Sequence, residues 1–211
     1  MNNLTAIVAG GEFPTHPVPL SILNNAQQIV CCDGAFANLP QQFHSKTVAV
    51  VGDGDSLCQN LRNALGDKYI VVADQETNDL TKAVNYCLQH QWTDIKIVGG
   101  TGLREDHTIG NIALLAEYMQ NANIEMVTDY GTFSPISSTT CFDSFPRQQV
   151  SIFSLNPNTL ITAQGLEYPI LNRCFTALWQ GTLNAAIGNN FTIITNGPLI
   201  VFRTHEPKIA R

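Results

Sequence analysis

The residues best suited to chemistry are carboxylates that directly follow short apolar runs. Asp33 follows Gln28–Cys32. Asp53 and Asp55 fall in Val51-Gly-Asp-Gly-Asp-Ser56, after a third run. Asp74, Glu76 and Asp79 fall in Asp74-Gln-Glu-Thr-Asn-Asp79, and Arg104, Glu105 and Asp106 follow Gly99-Gly-Thr-Gly102. Carboxylates gathered at one place repel one another unless a positive charge sits between them. A hard divalent cation with oxygen ligands answers that need, and Mg²⁺ is the usual one beside phosphates. Each segment alone has a plainer reading, as a tight turn, a helix start or a strand exit. Their recurrence after successive runs points to a site.

Signatures of other chemistries are broken or absent. Glu105 stands where the third glycine of a dinucleotide fingerprint would fall, and no G-x-x-x-x-G-K-[ST] loop exists. No G-x-S-x-G elbow exists either. His107 beside Asp106 reads as a helix-start residue, because helix neighbours point about 100° apart. Six cysteines (31, 32, 58, 87, 141 and 174) include no C-x-x-C pair, and five histidines show no metal-ligand spacing. Free thiols in a reduced cytoplasm, without zinc, are expected.

The elements that must position these residues follow from apolar patterning. Continuous β-branched runs at Thr5–Ala9, Gln28–Cys32, Thr47–Val51, Tyr69–Ala73, Ile95–Val98 and Ile124–Thr128 predict strands buried on both faces. Thr77–Gln91 predicts a helix, with Leu80, Ala83, Val84, Cys87 and Leu88 on one face. Another is predicted from Asp106 to Met119, with Ile109, Ile112, Ala113 and Ala116 on one stripe. Such alternation implies a parallel sheet with helices on its faces. Ligands then bind outside the carboxyl ends of the strands, where the acidic segments lie.

After Tyr130 helical periodicity stops. Runs at Phe133–Thr139, Gln149–Leu155, Thr159–Ala163, Phe175–Trp179, Phe191–Thr195 and Leu199–Arg203 predict short strands, the last two joined by a hairpin turn at Asn196-Gly197-Pro198. They predict a small β-sandwich or barrel. The boundary falls near 130, giving domains 1–130 and 131–211. Residues 1–130 carry 14 acidic and 6 basic side chains, residues 131–211 only 3 and 5. At 211 residues and 44% hydrophobic, the chain needs no staple to fold. A net charge of −6 disfavours nucleic acid as a partner. No apolar run approaches the roughly 20 residues of a membrane span, and Met-Asn-Asn-Leu-Thr reads as no secretory leader.

Four segments in order resemble the thiamin pyrophosphokinase family: Cys32-Asp-Gly-Ala-Phe-Ala-Asn-Leu39, Gly52-Asp-Gly-Asp-Ser56, Asp74-Gln-Glu-Thr-Asn-Asp-Leu-Thr-Lys-Ala83 and Gly99-Gly-Thr-Gly-Leu-Arg-Glu-Asp-His-Thr-Ile-Gly-Asn111. A fifth, weaker likeness lies in Gly165-Leu-Glu-Tyr-Pro169 and Gly181-Thr-Leu-Asn184. The resemblance implies an N-terminal Rossmann-like α/β/α catalytic domain followed by a C-terminal all-β sandwich. It implies a homodimer with thiamin bound at the subunit interface, and pyrophosphoryl transfer from ATP to thiamin with release of AMP. Asp53, Asp55 and Asp79 would then hold Mg²⁺ on the polyphosphate. Arg104 would offset developing charge, with Asp106 orienting it or a metal-bound water. Asp79 or Asp55 would accept the hydroxyl proton. Asp33, Gly34, Ser56, Lys82, Gly100 and Gly102 would lie by the nucleotide, and Gln75, Asn78, Trp179 and Asn184 by thiamin. Trp179 has a sandwich-core reading as well.

Three positions depart from that pattern. Gly54 replaces an aromatic between the paired aspartates, Asn78 replaces a threonine, and Leu183 replaces a serine. Competing readings are a related pyrophosphokinase acting on another small alcohol such as a hydroxymethylpterin, a phosphatase using Asp53 and Asp55, and a nucleotide sensor without turnover.

Overall fold

The first six apolar runs form strands in the computed structural model, which describes residues 3–208. Met1 and Asn2, the start of the segment read for a leader, lie outside the described residues. The strands are β1 (Thr5–Val8), β2 (Gln28–Cys32), β3 (Thr47–Gly52), β4 (Tyr69–Val71), β5 (Asp94–Val98) and β6 (Asn123–Val127). All pair in parallel, in the order β6-β5-β1-β2-β3-β4. Central β1 is buried end to end and β2 throughout but for Gln28, as continuous apolar runs require. β4 lies outermost beside β3 and stops at Val71, paired with Gly52, two residues short of the expected Ala73. Val71 and Ala73 are exposed, so little burial holds the chain on the sheet edge beyond that point.

Between these strands lie α1 (Pro17–Asn25), α2 (Gln59–Leu65), α3 (Asp79–Gln89) and α4 (Glu105–Tyr118). α3 buries Leu80, Ala83, Val84 and Cys87, the face its spacing predicts. It begins two residues late because Asn78 is the N-cap, its Oδ1 accepting the Thr81 N–H at 2.9 Å. It ends at left-handed Gln91 (φ 60°), where the Trp92 N–H turns back to the Cys87 carbonyl. The expected stripe of α4 is not its buried face. Leu115 and Tyr118 are buried, whereas Ile109 is 65% exposed and Ile112, Ala113 and Ala116 are half-buried. With Leu114 and Leu115 adjacent, α4 is apolar on more than one side, so periodicity does not select a face.

Contacts divide the chain into two units. One is the chain up to Ile112 with Gln120–Asp129, and the other is Ala113–Met119 with the chain from Tyr130. The second unit contains β7 (Gly131–Ile136), β8 (Thr140–Asp143), β9 (Gln148–Ser154), β10 (Leu160–Gln164), β11 (Ile170–Cys174), β12 (Asn184–Ala185), β13 (Asn190–Thr195) and β14 (Leu199–Pro207). They pair antiparallel in the orders β12-β9-β14-β7 and β11-β10-β13-β8. Val150, Ile152 and Val201 of the first group share one buried cluster with Phe142, Ile161, Phe191 and Ile193 of the second. Phe142 and Phe191 stack with centroids 5.1 Å apart.

Two expectations fail here. Asn196-Gly197-Pro198 is not a hairpin, because β13 pairs with β10 and β8 while β14 pairs with β7 and β9. The Asn196 Oδ1 accepts the Leu160 N–H at 2.9 Å, tying the turn to β10. Phe175–Trp179 is not a strand. Phe175 is buried, and Leu178–Gly181 forms a 3₁₀ turn. The Gln180 Oε1 accepts the N–H groups of Thr176 and Ala177, which fixes the turn.

The cysteines are free. Burial pushes the thiols of Cys31 and Cys87 up to about 12, so both are apolar packing groups. Among the described residues no helix is long and apolar enough to cross a membrane.

Candidate active site

The strand exits of the first unit converge on one pocket of about 500 Å³. It is lined by Gly34, Asp53, Ser56, Gln75, Asn78, Asp79, Lys82, Gly100, Gly102 and Arg104, ten of the expected site residues. Ala9, Gly10 and Gly11 also line it, as do Leu103, His107, Thr108 and Asn111, none of them expected there. The signal for Gly10-Gly11 was available: it follows the first strand as the acidic segments follow theirs.

The β1 and β5 exits are fastened together. The Gly11 N–H donates to the Gly99 carbonyl at 2.7 Å and the Glu12 N–H to the Thr101 carbonyl at 2.8 Å. A Cβ on Gly11 would stand 2.3 Å from one of those carbonyl oxygens, so only glycine fits. Gly102 (φ +78°) turns the chain out of the loop, and a Cβ there would meet the Glu12 Cβ at 2.6 Å. The next residue, Leu103, is also left-handed (φ 68°) and 73% exposed at the pocket.

The turn after β3 presents the paired aspartates. One carboxylate oxygen from each of Asp33, Asp53 and Asp55 lies within 4.8 Å of the others. Asp33 is fully buried and lies beneath the turn. Its Oδ2 accepts the Gly54 N–H at 3.2 Å, the Ser56 N–H at 3.4 Å and the Tyr69 hydroxyl at 3.3 Å. Among the described residues its Oδ1 has no hydrogen-bond partner. A Cβ on Gly52 would stand 2.3 Å from the Asp33 Cβ, which explains the glycine of the motif. Asp55 is exposed and accepts the Ser56 hydroxyl at 2.8 Å. The backbone N–H of Asp55, then its side chain, hold the Asp53 carboxyl below the usual range. Three acidic side chains with an unpartnered buried oxygen suit a hard cation.

Asp79, expected as a third ligand, is not in that group of three; it lines the same pocket at the first residue of α3 and pairs with buried Lys82 at 3.2 Å. Burial pushes the Asp79 carboxyl up, against the pull of Lys82, and the charges of Asp53 and Asp33 push the same way. The Asn78 Nδ2 donates to Asn111 Oδ1 at 3.2 Å, and the Asn111 amide donates to the Gly100 carbonyl at 2.9 Å. Asn78 thus keeps the capping role that threonine could fill and adds a tie to α4. Arg104 holds Asp106 through two bonds of 3.1 and 2.6 Å, and the guanidinium lowers the Asp106 carboxyl to about 2. Asp106 also accepts the His107 N–H, in the first turn of α4.

Trp179 and Asn184 belong to the second unit. Trp179 is 73% exposed on its 3₁₀ turn and is not core. Asn184 is buried and spoken for: its Oδ1 accepts the N–H groups of Tyr168 and Ala185, and its Nδ2 donates to the Tyr168 carbonyl at 2.7 Å. Its amide pins the Tyr168 loop to β12. Leu183 is left-handed (φ 63°) and exposed.

Two family models match the chain. Residues 20–128 match the catalytic domain of thiamin pyrophosphokinase, and residues 131–202 its substrate-binding domain. Thiamin pyrophosphokinase 1 of Caenorhabditis elegans is 27% identical over 119 residues, 52% of this chain. That match spans about half, 48%, of the relative's length. Among solved structures, thiamine pyrophosphokinase from Bacillus subtilis superposes with a TM-score of 0.79 at 22% identity, covering 95% of this chain and 98% of that one. Thiamin pyrophosphokinase from Candida albicans gives 0.81 at 17% identity, covering 97% and 90%. These likenesses establish a shared fold, mixed α/β with a large, mainly parallel sheet and an antiparallel one.

Proposed function

The chain belongs to the thiamin pyrophosphokinase family, and from that premise we propose that it transfers a pyrophosphoryl group from ATP to the hydroxyethyl arm of thiamin. The products are thiamin diphosphate and AMP. The observation that carries this reading is the single pocket in which Asp53, Asp79, Lys82 and Arg104 meet glycine-rich strand exits. Acidic groups for a cation, basic groups for phosphate oxygens and close backbone approach are what a polyphosphate requires.

In this reading the thiamin hydroxyl oxygen bonds to the β-phosphorus. The bond from that phosphorus to the bridging oxygen breaks, and the oxygen leaves with AMP. Asp79 or Asp55 takes the hydroxyl proton, and burial makes Asp79 the stronger proton acceptor. Lys82 faces the phosphates from beneath and Arg104 from the α4 side, each offsetting negative charge. Asp106 holds the Arg104 guanidinium in plane. Gly34, Ser56, Gly100 and Gly102 let the nucleotide approach backbone, while Gln75, Asn78 and exposed Trp179 are assigned to thiamin. Asp33 and Asn184, both buried, support those contacts from behind. Asp53, Asp55 and Asp79 are the residues to hold Mg²⁺, which when bound neutralises polyphosphate charge.

The domain assignment completes the proposal. Residues 1–130 form a Rossmann-like catalytic domain and residues 131–211 a β-sandwich that binds thiamin, with two chains forming a cytoplasmic homodimer. The family models, meeting between residues 128 and 131, support the division, and sedimentation velocity separates a dimer from a 23.1 kDa monomer. An acceptor panel tests the activity. AMP should accumulate from Mg-ATP with thiamin and not with 6-hydroxymethylpterin or without acceptor. AMP with the pterin alone would move the chain to the related pyrophosphokinases.

A further inference from the structure

The turn that carries Asp53 and Asp55 is anchored from below by groups outside the polyphosphate pocket. Oδ2 of buried Asp33 collects three donors, two from the turn itself and one, the Tyr69 hydroxyl, from the outermost strand β4. We infer that Tyr69 is a positioning residue for cation binding: through Asp33 it fixes the Asp53–Ser56 turn so that the half-buried Asp53 and exposed Asp55 carboxylates stay aimed at one cation. The inference rests on the assignment of Asp53 and Asp55 as ligands in the proposed function.

Strand geometry puts Tyr69 in place. β4 runs beside β3 with Tyr69 paired to Val50, and the Val72 N–H donates to the Gly52 carbonyl at 2.8 Å, so β4 follows β3 to the turn. Gly54 is its complement. Gly54 has a φ of +92°, and a Cβ there would stand 3.4 Å from the Tyr69 hydroxyl and 3.5 Å from Val71 Cγ1. A Cβ at 54 would point at β4 and lie in van der Waals contact with it. The Tyr69 ring is held in turn. The Arg62 guanidinium lies 5.8 Å over it, and the Arg62 Nε donates to the Leu57 carbonyl at 2.7 Å, at the far end of the turn. Asp33 and Arg62 therefore bond the turn directly, and Tyr69 joins the two, through its hydroxyl to Asp33 and its ring under Arg62.

The carboxylates need that grip because they repel. Left loose, the turn would splay and pay its ordering cost when a cation arrives; held, the ligands are preorganised. The buried Oδ1 of Asp33, without a hydrogen-bond partner among the described residues, is a further sign that this cluster is built for a ligand. Removing the phenol leaves the buried Oδ2 one donor short, and the turn must move to compensate.

The test is Tyr69→Phe in the full chain, which keeps the ring and removes only the hydroxyl. Mn²⁺ serves as the probe, titrated by electron paramagnetic resonance with and without ATP. The dissociation constant for Mn²⁺ should rise about fivefold, and the Mg²⁺ concentration for half-maximal rate with it. The KM for thiamin, and kcat at saturating Mg²⁺, should stay within about twofold because Tyr69 does not line the pocket. An unchanged Mn²⁺ constant overturns the inference. So does an equal loss in Mn²⁺ affinity and in thiamin KM, which would mean general loosening, and so does a wild type that binds no Mn²⁺. A wild type that binds Mn²⁺ but makes no AMP would remove the proposed activity and leave the inference standing. Normal turnover with an unchanged Mn²⁺ constant in the variant would do the reverse.

Discussion

Asp53 and Asp79 share one pocket and are pushed in opposite directions. Hydrogen bonds from Asp55 hold Asp53 low, while burial pushes Asp79 up. As pH falls, Asp79 therefore takes up its proton before Asp53 or Asp74, which Thr77 and Glu76 also hold low. The acid limb of the pH–rate profile should follow Asp79, and lowering Mg²⁺ should move that limb to higher pH as protons compete with the cation. A limb insensitive to Mg²⁺ would detach Asp79 from the metal. The stability signs differ as well. Ionised Asp79 is disfavoured by the fold, so the metal-free protein gains from its protonation as pH falls through the raised value. Asp106, held near 2 by Arg104, contributes above its unfolded value and loses that contribution as pH falls toward 2. Asp55→Asn and Asp79→Asn should each lower kcat by about a hundredfold or more while circular dichroism stays unchanged. Near-normal rates in a folded variant would remove that residue from the mechanism. The acidic motifs are legible because carboxylates beside glycine declare a chemistry. That Asp33 is buried and Asn184 bound to backbone is not, since both facts depend on neighbours distant in sequence.

At the scale of elements, the site is made by strand exits, and glycine decides how closely they approach. Gly11→Ala should destabilise the protein by about 2 kcal/mol in urea unfolding and weaken ATP binding, because its Cβ meets two backbone carbonyls that cannot yield. Gly10→Ala should change stability by no more than about 0.5 kcal/mol, because nothing lies within 4 Å of its Cβ. Equal effects would mean that the β1 exit is not held as described. The parallel strands were readable because burial on both faces leaves continuous apolar runs, and α3 because its apolar face is single. β8 and β11 escaped notice because Thr140–Asp143 and Ile170–Cys174 mix polar residues on short edge strands. The Asn196 turn misled because Asn-Gly specifies a bend but not the strand to which the chain returns.

At the scale of the molecule, the acidic charge and the pocket fall in the same unit. The acidic first unit holds the pocket, and the second exposes Trp179, Leu183, Tyr168 and Leu171. An exposed indole suits a flat cationic substrate such as thiamin, by stacking and cation–π attraction. Trp179→Ala should raise the KM for thiamin about tenfold and leave the KM for ATP unchanged. A parallel rise in both would point to a folding defect, and no change in either would remove Trp179 from the thiamin site. The change from parallel to antiparallel strands after β6 was legible in periodicity, whereas the placement of Ala113–Met119 with the second unit was not. Which side chains of the second half face solvent was not, because Trp179 has the composition of a core residue.

The central claim is pyrophosphoryl transfer from ATP to thiamin, and ³¹P NMR of the protein with ATP, Mg²⁺ and thiamin tests it most directly. The account predicts thiamin-dependent appearance of AMP together with a new diphosphate ester. ADP with a thiamin monophosphate would contradict it by placing the break at the γ-phosphorus, and unchanged ATP with a folded, Mg-ATP-bound protein would contradict it by excluding thiamin as the acceptor.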